Sequence, residues 1–335
     1  MEEVRNYLSE KNFSGVVSIL KNRRIVFEHA FGWADKENQI KNKIDTKFCV
    51  GSMLNKPLTA VSILQLIQRG KLTLTQSIED FFPHYQGKGI TIHHLLNHTS
   101  GIVNYLMLRN KIKWDQDYTP EQILDVVEQH RLKFPPGKKS SYNNTGYLML
   151  GIIIEKITGM SYYDYVRENI LIPSGMVNTG FISEGVNDVA LNYINQESGP
   201  HISPSVLFAC GETFSTVEDI HQFDLALKTQ ILLNEESINL MEHPSYKGKY
   251  VTIGYGWIIK NLFGRKSMSH GGTHPGGYTT HLERYIKDDI TIVVLSNNTI
   301  SYSKFSMKEL GGTWICREIS SILFDQKLHF WQKFI

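Results

Sequence analysis

Cysteine is scarce in this sequence: Cys49, Cys210 and Cys316 are the only three. An odd number in apolar surroundings excludes a disulfide framework and suits buried thiols. Charge of either sign in excess is also missing, since 35 basic side chains nearly cancel 33 acidic ones and no run of five like charges occurs. Neither nucleic acid nor an anionic lipid surface would meet an electrostatic footprint here. No stretch of 18 uncharged apolar residues is present, so no transmembrane segment is expected. The opening Met1-Glu2-Glu3-Val4-Arg5 lacks a basic segment followed by an apolar one. As written that fits a cytoplasmic protein, and an exported one if a leader has been trimmed. Repeats and low-complexity segments are absent. What is there is a 335-residue chain, 41% hydrophobic and 20% charged. That composition supports a sizeable core and an ordinary globular protein, expected as a monomer acting on a small molecule or peptide.

Two β-branched runs, Val16 to Leu20 and Ile25 to Phe31, flank the polar turn Lys21-Asn22-Arg23-Arg24 and predict an antiparallel hairpin. From Pro57 to Gln68 apolar residues cover most of a helical surface, and Arg69-Gly70 supplies a stop, so a buried helix is expected. Helical patterns follow at 123–130, 145–158 and 217–227, separated by loops with Pro and Gly. Strand-like runs return at 256–259, 278–285 and 290–296, before a last helix at about 305–324. Strands at both ends around a helical middle imply an α+β fold. Its antiparallel sheet is formed by both chain ends and flanked by helices, with residues 1–50 and 247–335 as an α/β part and 51–246 as a mainly helical insertion in one catalytic unit.

Ser52 follows Gly51 where a strand-like approach meets the buried helix, and Lys56 comes one helical turn later. A serine hydroxyl becomes a nucleophile when a base stands beside it, and a lysine serves when burial lowers its pKa from about 10.4. A helix start also offers a backbone N–H to an oxyanion. The spacing alone is weak, because Ser-x-x-Lys recurs at Ser18/Lys21 and Ser301/Lys304.

The surrounding text is more specific. It comprises Phe13-Ser14-Gly15-Val16-Val17, the segment from Phe48 to Gln68, and Thr91-Ile92-His93-His94-Leu95-Leu96-Asn97-His98-Thr99-Ser100-Gly101. It continues with Ser141-Tyr142-Asn143-Asn144-Thr145-Gly146-Tyr147, Tyr255-Gly256-Trp257 and His270-Gly271-Gly272-Thr273-His274-Pro275-Gly276-Gly277. In that order the chain resembles the serine β-lactamase and penicillin-binding-protein superfamily, in its class C β-lactamase, D,D-peptidase and esterase branch. The resemblance implies that Ser52 attacks a carbonyl, that Lys56 takes or relays its proton, and that Tyr142 is the second acid/base group. It further implies that Asn144 holds Lys56 and the substrate's amide. His270, Gly271 and Gly272 stand where relatives carry Lys-Thr-Gly, and the N–H of Thr273 would join that of Ser52 as an oxyanion hole. The glycines would let substrate lie along the strand. Without the lysine and threonine, the grip on a penicillin's carboxylate is expected to be weak, which favours esters or peptides of D-amino-acid or cell-wall type. No metal and no organic cofactor is implied.

One departure bears on all of this. Relatives place the lysine three residues after the serine, whereas here it is four. Positions i+3 and i+4 both fall on the serine's side of a helix, so Lys56 can reach Ser52, with a π-bulge as one way of absorbing the extra residue. If instead Lys56 keeps the family register, Met53 takes the nucleophile's place, and the chain is a catalytically inactive binding protein for a peptide or partner. Plainer roles are expected elsewhere. His93, His94 and His98 lack a partner carboxylate, and the segment reads as a short helix capped by Thr91, with His98 hydrogen-bonded internally. Tyr162, Tyr163 and Tyr165 read as packing, as does Cys49. Asn144, without the resemblance, would read as a helix N-cap.

Overall fold

β-Branched residues on alternate positions bury both faces of the strands they form, and here they build one eight-stranded antiparallel sheet. The computed structural model describes residues 1–85, 88–249, 251–299 and 311–327. The strand order is Tyr246–Lys247, Thr252–Ile253, Ile258–Leu262, Arg265–Thr273, Thr279–Tyr285, Ile290–Ser296, Gly15–Lys21 and Arg24–Phe31. Gly15 pairs with Ser296 and Lys21 with Ile290, so the first strand closes on a strand from the far end of the chain. Val17 and Ile19 pack on one face against Val4, Leu8, Ile315 and Ile319 of the two terminal helices. Val16, Val293 and Leu295 face the other way, into the larger core that contains the helix Ser52–Gln68.

The expected hairpin has a tighter turn than the four polar residues suggested. Lys21 pairs directly with Arg24, which leaves a two-residue loop of Asn22 and Arg23 at φ 50° and 59°. Two consecutive left-handed residues match the twist of the flanking strands. The strand expected at 256–259 runs instead from Ile258 to Leu262, because Gly256 turns the chain at φ 77°. The final helix spans Gly312–Phe324, and the expected start at 305–310 lies outside the described residues.

From Met53 to Leu66 every residue of the Ser52–Gln68 helix is buried, and Gly70 at φ 66° follows its end. Helix Asn144–Thr158 packs beside it, capped by the side chain of Asn143, which accepts from the Gly146 N–H, and stopped by Gly159. The cap is therefore Asn143, one residue before the expected one, and the Asn144 side chain is left for another partner. Helices Pro120–Glu128 and Val217–Lys228 fall within a few residues of the sequence pattern.

One ion network ties helix Val217–Lys228 to the sheet. Arg284, 1% exposed, donates from Nε to Asp224 at 2.6 Å and from Nη1 to Glu242 at 3.0 Å, while Thr291 and Lys228 also bond Asp224. Burial alone would raise the Asp224 carboxyl, but the charges of Arg284 and Lys228 outweigh it and hold it at about 2. A carboxylate depressed from about 3.9 in the unfolded chain contributes stability that is complete above pH 4 and is lost as pH falls from about 4 to 2. Asp224→Ala, which leaves Arg284 with Glu242 alone, should lower the unfolding free energy by about 3 kcal/mol in urea titrations at pH 7. A loss below 1 kcal/mol would show that the network is not a support of the fold.

Candidate active site

The strand Phe48–Cys49 runs into Val50 and Gly51, and Gly51 at φ 58°, ψ −144° turns the chain so that Ser52 is the first residue of its helix. That backbone region disfavours any side chain, which accounts for a glycine directly before the serine. Lys56 stands one turn further on. Its side chain has no exposure, and its Nζ lies 3.1 Å from Ser52 Oγ, 2.7 Å from Asn144 Oδ1 and 3.3 Å from the Cys210 carbonyl. The helix is α-helical from Ser52 to Gln68, so the expected π-bulge is not what absorbs the extra residue. The serine instead opens the helix, and i+4 places the lysine over it. Met53 is wholly buried in the core.

Ser52 Oγ donates to the Cys210 carbonyl at 2.9 Å. The same carbonyl accepts from Lys56, so a single main-chain oxygen holds both groups. The turn that carries it is fastened by Cys210 N–H and Gly211 N–H to the Leu207 carbonyl. Behind the serine, Asn55 Oδ1 accepts from both the N–H and the hydroxyl of Thr213, and Thr59 donates to the Ala209 carbonyl. These bonds lock the helix to the segment that forms the cleft's far wall.

Tyr142 is 41% exposed overall, and it lines the same cleft as Ser52. Its ring lies under Lys56, with Nζ 4.8 Å from the ring centre, and beside the rings of His98 and His270 at 4.7 and 5.9 Å. His98 Nδ1 accepts from the Asn143 N–H, as expected of an internally bonded histidine. His93 bonds Tyr255 and Asn97, and His94 accepts from the Thr91 N–H, so the three histidines face separate partners.

His270 is 3% exposed, with Nδ1 2.8 Å from the Gly271 carbonyl. Of the expected substrate-binding strand, Gly271 and Thr273 line the cleft, whereas His270, packed beside the Tyr142 ring, and Gly272 do not. A Cβ at Gly272 would lie 2.3 Å from the Val50 carbonyl, and one at Gly271 would lie 2.9 Å from Thr313 Oγ1 on the sheet's other side. The two glycines therefore bring the strand against the helix start and against helix Gly312–Phe324. They make room for protein more than for substrate.

Burial pushes the Lys56 amine down to about 8 and raises the Tyr142 phenol above its usual range. Burial, helped by the Lys56 charge, takes the His270 imidazole down to about 3 and His98 well below its ordinary value. At neutral pH the site thus holds a lysine that readily gives up its proton, a protonated tyrosine and two neutral histidines. Sequence reasoning did not find the Cys210 carbonyl, nor the cleft walls Leu106, Leu207, His274 and Pro275. A main-chain acceptor has no side-chain signature, and Leu106 and Leu207 come from segments distant from Ser52, whereas His274 and Pro275 directly follow Thr273 in the quoted run.

Among the described residues, His281, Glu283 and Cys316 bring three metal-type donors within 4.8 Å of one another. His281 Nε2 already bonds Glu283 at 2.8 Å, and the charges of Lys260 and Arg317 act on the same carboxylate. Positive neighbours oppose a dication, and the group is a buried polar cluster behind Gly271.

A serine, a buried lysine and a tyrosine converging in front of an antiparallel sheet define a serine-hydrolase architecture. The Beta-lactamase family model matches residues 2–308, and the chain belongs to that family. Penicillin-binding protein 4* of Bacillus subtilis is 31% identical over 320 residues, covering 87% of this chain and 69% of the relative. A penicillin-binding protein from Bacillus halodurans superposes with a TM-score of 0.81 at 27% identity, covering 95% of this chain and 98% of the other. An octameric penicillin-binding protein homologue from Pyrococcus abyssi gives 0.83 at 28% identity, over 97% and 78%. Among the described residues no helix is long and apolar enough to cross a membrane.

Lys56 should titrate with a midpoint near 8, ammonium below and amine above, while exposed lysines titrate near 10.4. Side-chain NMR of dimethylated lysines, with Lys56→Arg to assign the signal, measures this. A midpoint at or above 10 would contradict the burial argument.

Proposed function

We propose that the protein is a serine hydrolase that works through an acyl-enzyme on Ser52, acting on esters or on peptides of D-amino-acid or cell-wall type, and less efficiently on β-lactams. The observation that carries this is the 3.1 Å approach of the desolvated Lys56 amine to the Ser52 hydroxyl. The extra residue between them leaves base and nucleophile in contact.

The chemistry follows from the protonation states. The Lys56 amine takes the Ser52 proton as Oγ bonds to the carbonyl carbon, and the oxyanion is met by the N–H groups of Ser52 and Thr273, both of which line the cleft. Tyr142, held protonated, donates to the leaving group as the carbon-to-leaving-group bond breaks, and the Lys56 ammonium returns a proton to Tyr142. Water then attacks the acyl-enzyme by the reverse route. Lysine is the base here because its pKa is depressed towards neutrality, whereas a phenolate with a raised pKa is scarce at pH 7. Asn144 holds the amine in place through its Oδ1. His270, being neutral, offers a carboxylate no permanent charge, which is the physical case for weak penicillin recognition.

Intact-protein mass spectrometry after incubation with an activated ester should show an acyl adduct on wild type and none on Ser52→Ala. Folded protein without an adduct from either an ester or a penicillin would favour a non-catalytic binding role. Lys56→Ala and Tyr142→Phe should each slow acylation at least tenfold, and wild-type rates in both would remove them from the mechanism. His270→Lys should raise the acylation rate by a penicillin at least fivefold relative to a neutral ester, and an unchanged ratio would mean that the missing cation does not limit β-lactam recognition.

A further inference from the structure

The size and polarity of the cleft go a step further than the reaction type, and this step rests on Ser52 being the acylated residue. The space in front of Ser52 is about 220 Å3, below the roughly 300–1,000 Å3 of pockets that take drug-sized ligands. Its apolar side-chain walls are Leu106, Leu207 and Pro275, and among the described residues no Asp, Glu, Lys or Arg lines it. Lys56 lies behind the serine with its Nζ already bonded to Ser52, Asn144 and the Cys210 carbonyl. His274, pushed down to about 4 by burial, adds no charge at neutral pH. A leaving group must depart towards solvent, whereas the acyl group stays on Ser52 until water releases it. The acyl group therefore lies in this solvent-open cleft, beside its leucine walls.

The walls that limit it are held firmly. Leu207, 4% exposed, ends the turn Pro204–Leu207, and its carbonyl accepts from the N–H groups of both Cys210 and Gly211. That same turn leads into the carbonyl that binds Ser52 and Lys56. Leu106, half-buried on the opposite turn Tyr105–Met107, is fixed by its N–H to Asn104 Oδ1 at 3.3 Å, and its neighbour Tyr105 by an N–H to Thr145 Oγ1 at 3.0 Å. Walls fixed to the catalytic segments themselves do not retreat easily for a larger group. A charged group entering between the two leucines would lose water and meet no charged side chain among the described lining residues.

We infer that, of the substrate classes above, the cleft selects esters with a short, uncharged acyl group beside the scissile carbonyl, and that Leu106 and Leu207 set its length. The test is kcat/KM for p-nitrophenyl acetate, butyrate, hexanoate and octanoate, and for the p-nitrophenyl monoester of adipic acid, on wild type, Leu106→Ala and Leu207→Ala. Wild type should lose at least tenfold from butyrate to octanoate, and the adipate monoester should react at least tenfold more slowly than hexanoate. Each alanine variant should shrink the butyrate-to-octanoate ratio at least fivefold. If Leu207→Ala melts below the assay temperature, the partly exposed Leu106→Ala decides the matter. A flat wild-type profile, or a ratio unchanged in the folded variants, overturns this inference while an adduct on Ser52 leaves the reaction type standing. No adduct on Ser52 with any ester overturns the reaction type and takes this inference with it.

Discussion

An amine taken wholly out of water has to be met by acceptors from the protein, and the burial of Lys56 organises the site around that demand. Its three partners come from three separated parts of the chain: Ser52 on its own helix, Asn144 at the start of the next long helix, and the Cys210 carbonyl on the turn opposite. An isolated ammonium moved to a low-dielectric interior costs far more than a domain's net stability, and it answers by giving up its proton more readily. The requirement that fastens three segments together is thus the same one that brings the lysine towards the protonation state of a base. The neighbouring aromatic rings of Tyr142 and Tyr147, 4.8 and 5.1 Å from Nζ, complete the enclosure.

The sheet supplies the rigid back of this arrangement. Strand Arg265–Thr273 sits in its interior, paired on both sides, and its two glycines allow the helix start at Val50 to Met53 to press on it from one face and Thr313 to do so from the other. Ser52 and Thr273 are therefore set by packing between a strand and a helix, which is more exacting than a loop could provide.

Much of this was legible in the residues, for reasons that can be named. Strand Ile290–Ser296 and helix Val217–Lys228 carry strong periodicity, and their bounds agree with the pattern to within a residue. Ser52, Lys56, Tyr142 and Asn144 were drawn together by motif and order, and the structure gathers them around one cleft. The rest depended on information that local sequence does not hold. Asn143 and Asn144 are chemically identical, and only the demand of Lys56 for an acceptor decides which one caps the helix and which faces the amine. The extra residue between Ser52 and Lys56 suggested a bulge, but a lysine is long enough to make i+4 serviceable in a regular helix. The role of Cys210 belongs to its carbonyl, so no reading of its thiol could have found it.

Gly15 lies against Ser296, and the strand between Gly15 and Lys21 has its inner partner in Ile290–Ser296. During synthesis the hairpin Gly15–Phe31 leaves the ribosome with one edge unpaired, and its inner neighbour Ile290–Ser296 follows only after the long intervening stretch from Phe31 to Ile290 has been made. At about 5–20 residues per second that interval is on the order of tens of seconds. For that time Val16, Val17 and Ile19 form an apolar edge with no inner strand to join, and closure of the loop between the two strands carries an entropic cost that the paired sheet has to offset. Assembly of the sheet, and with it the strand that backs Ser52, is a late event in the life of each molecule.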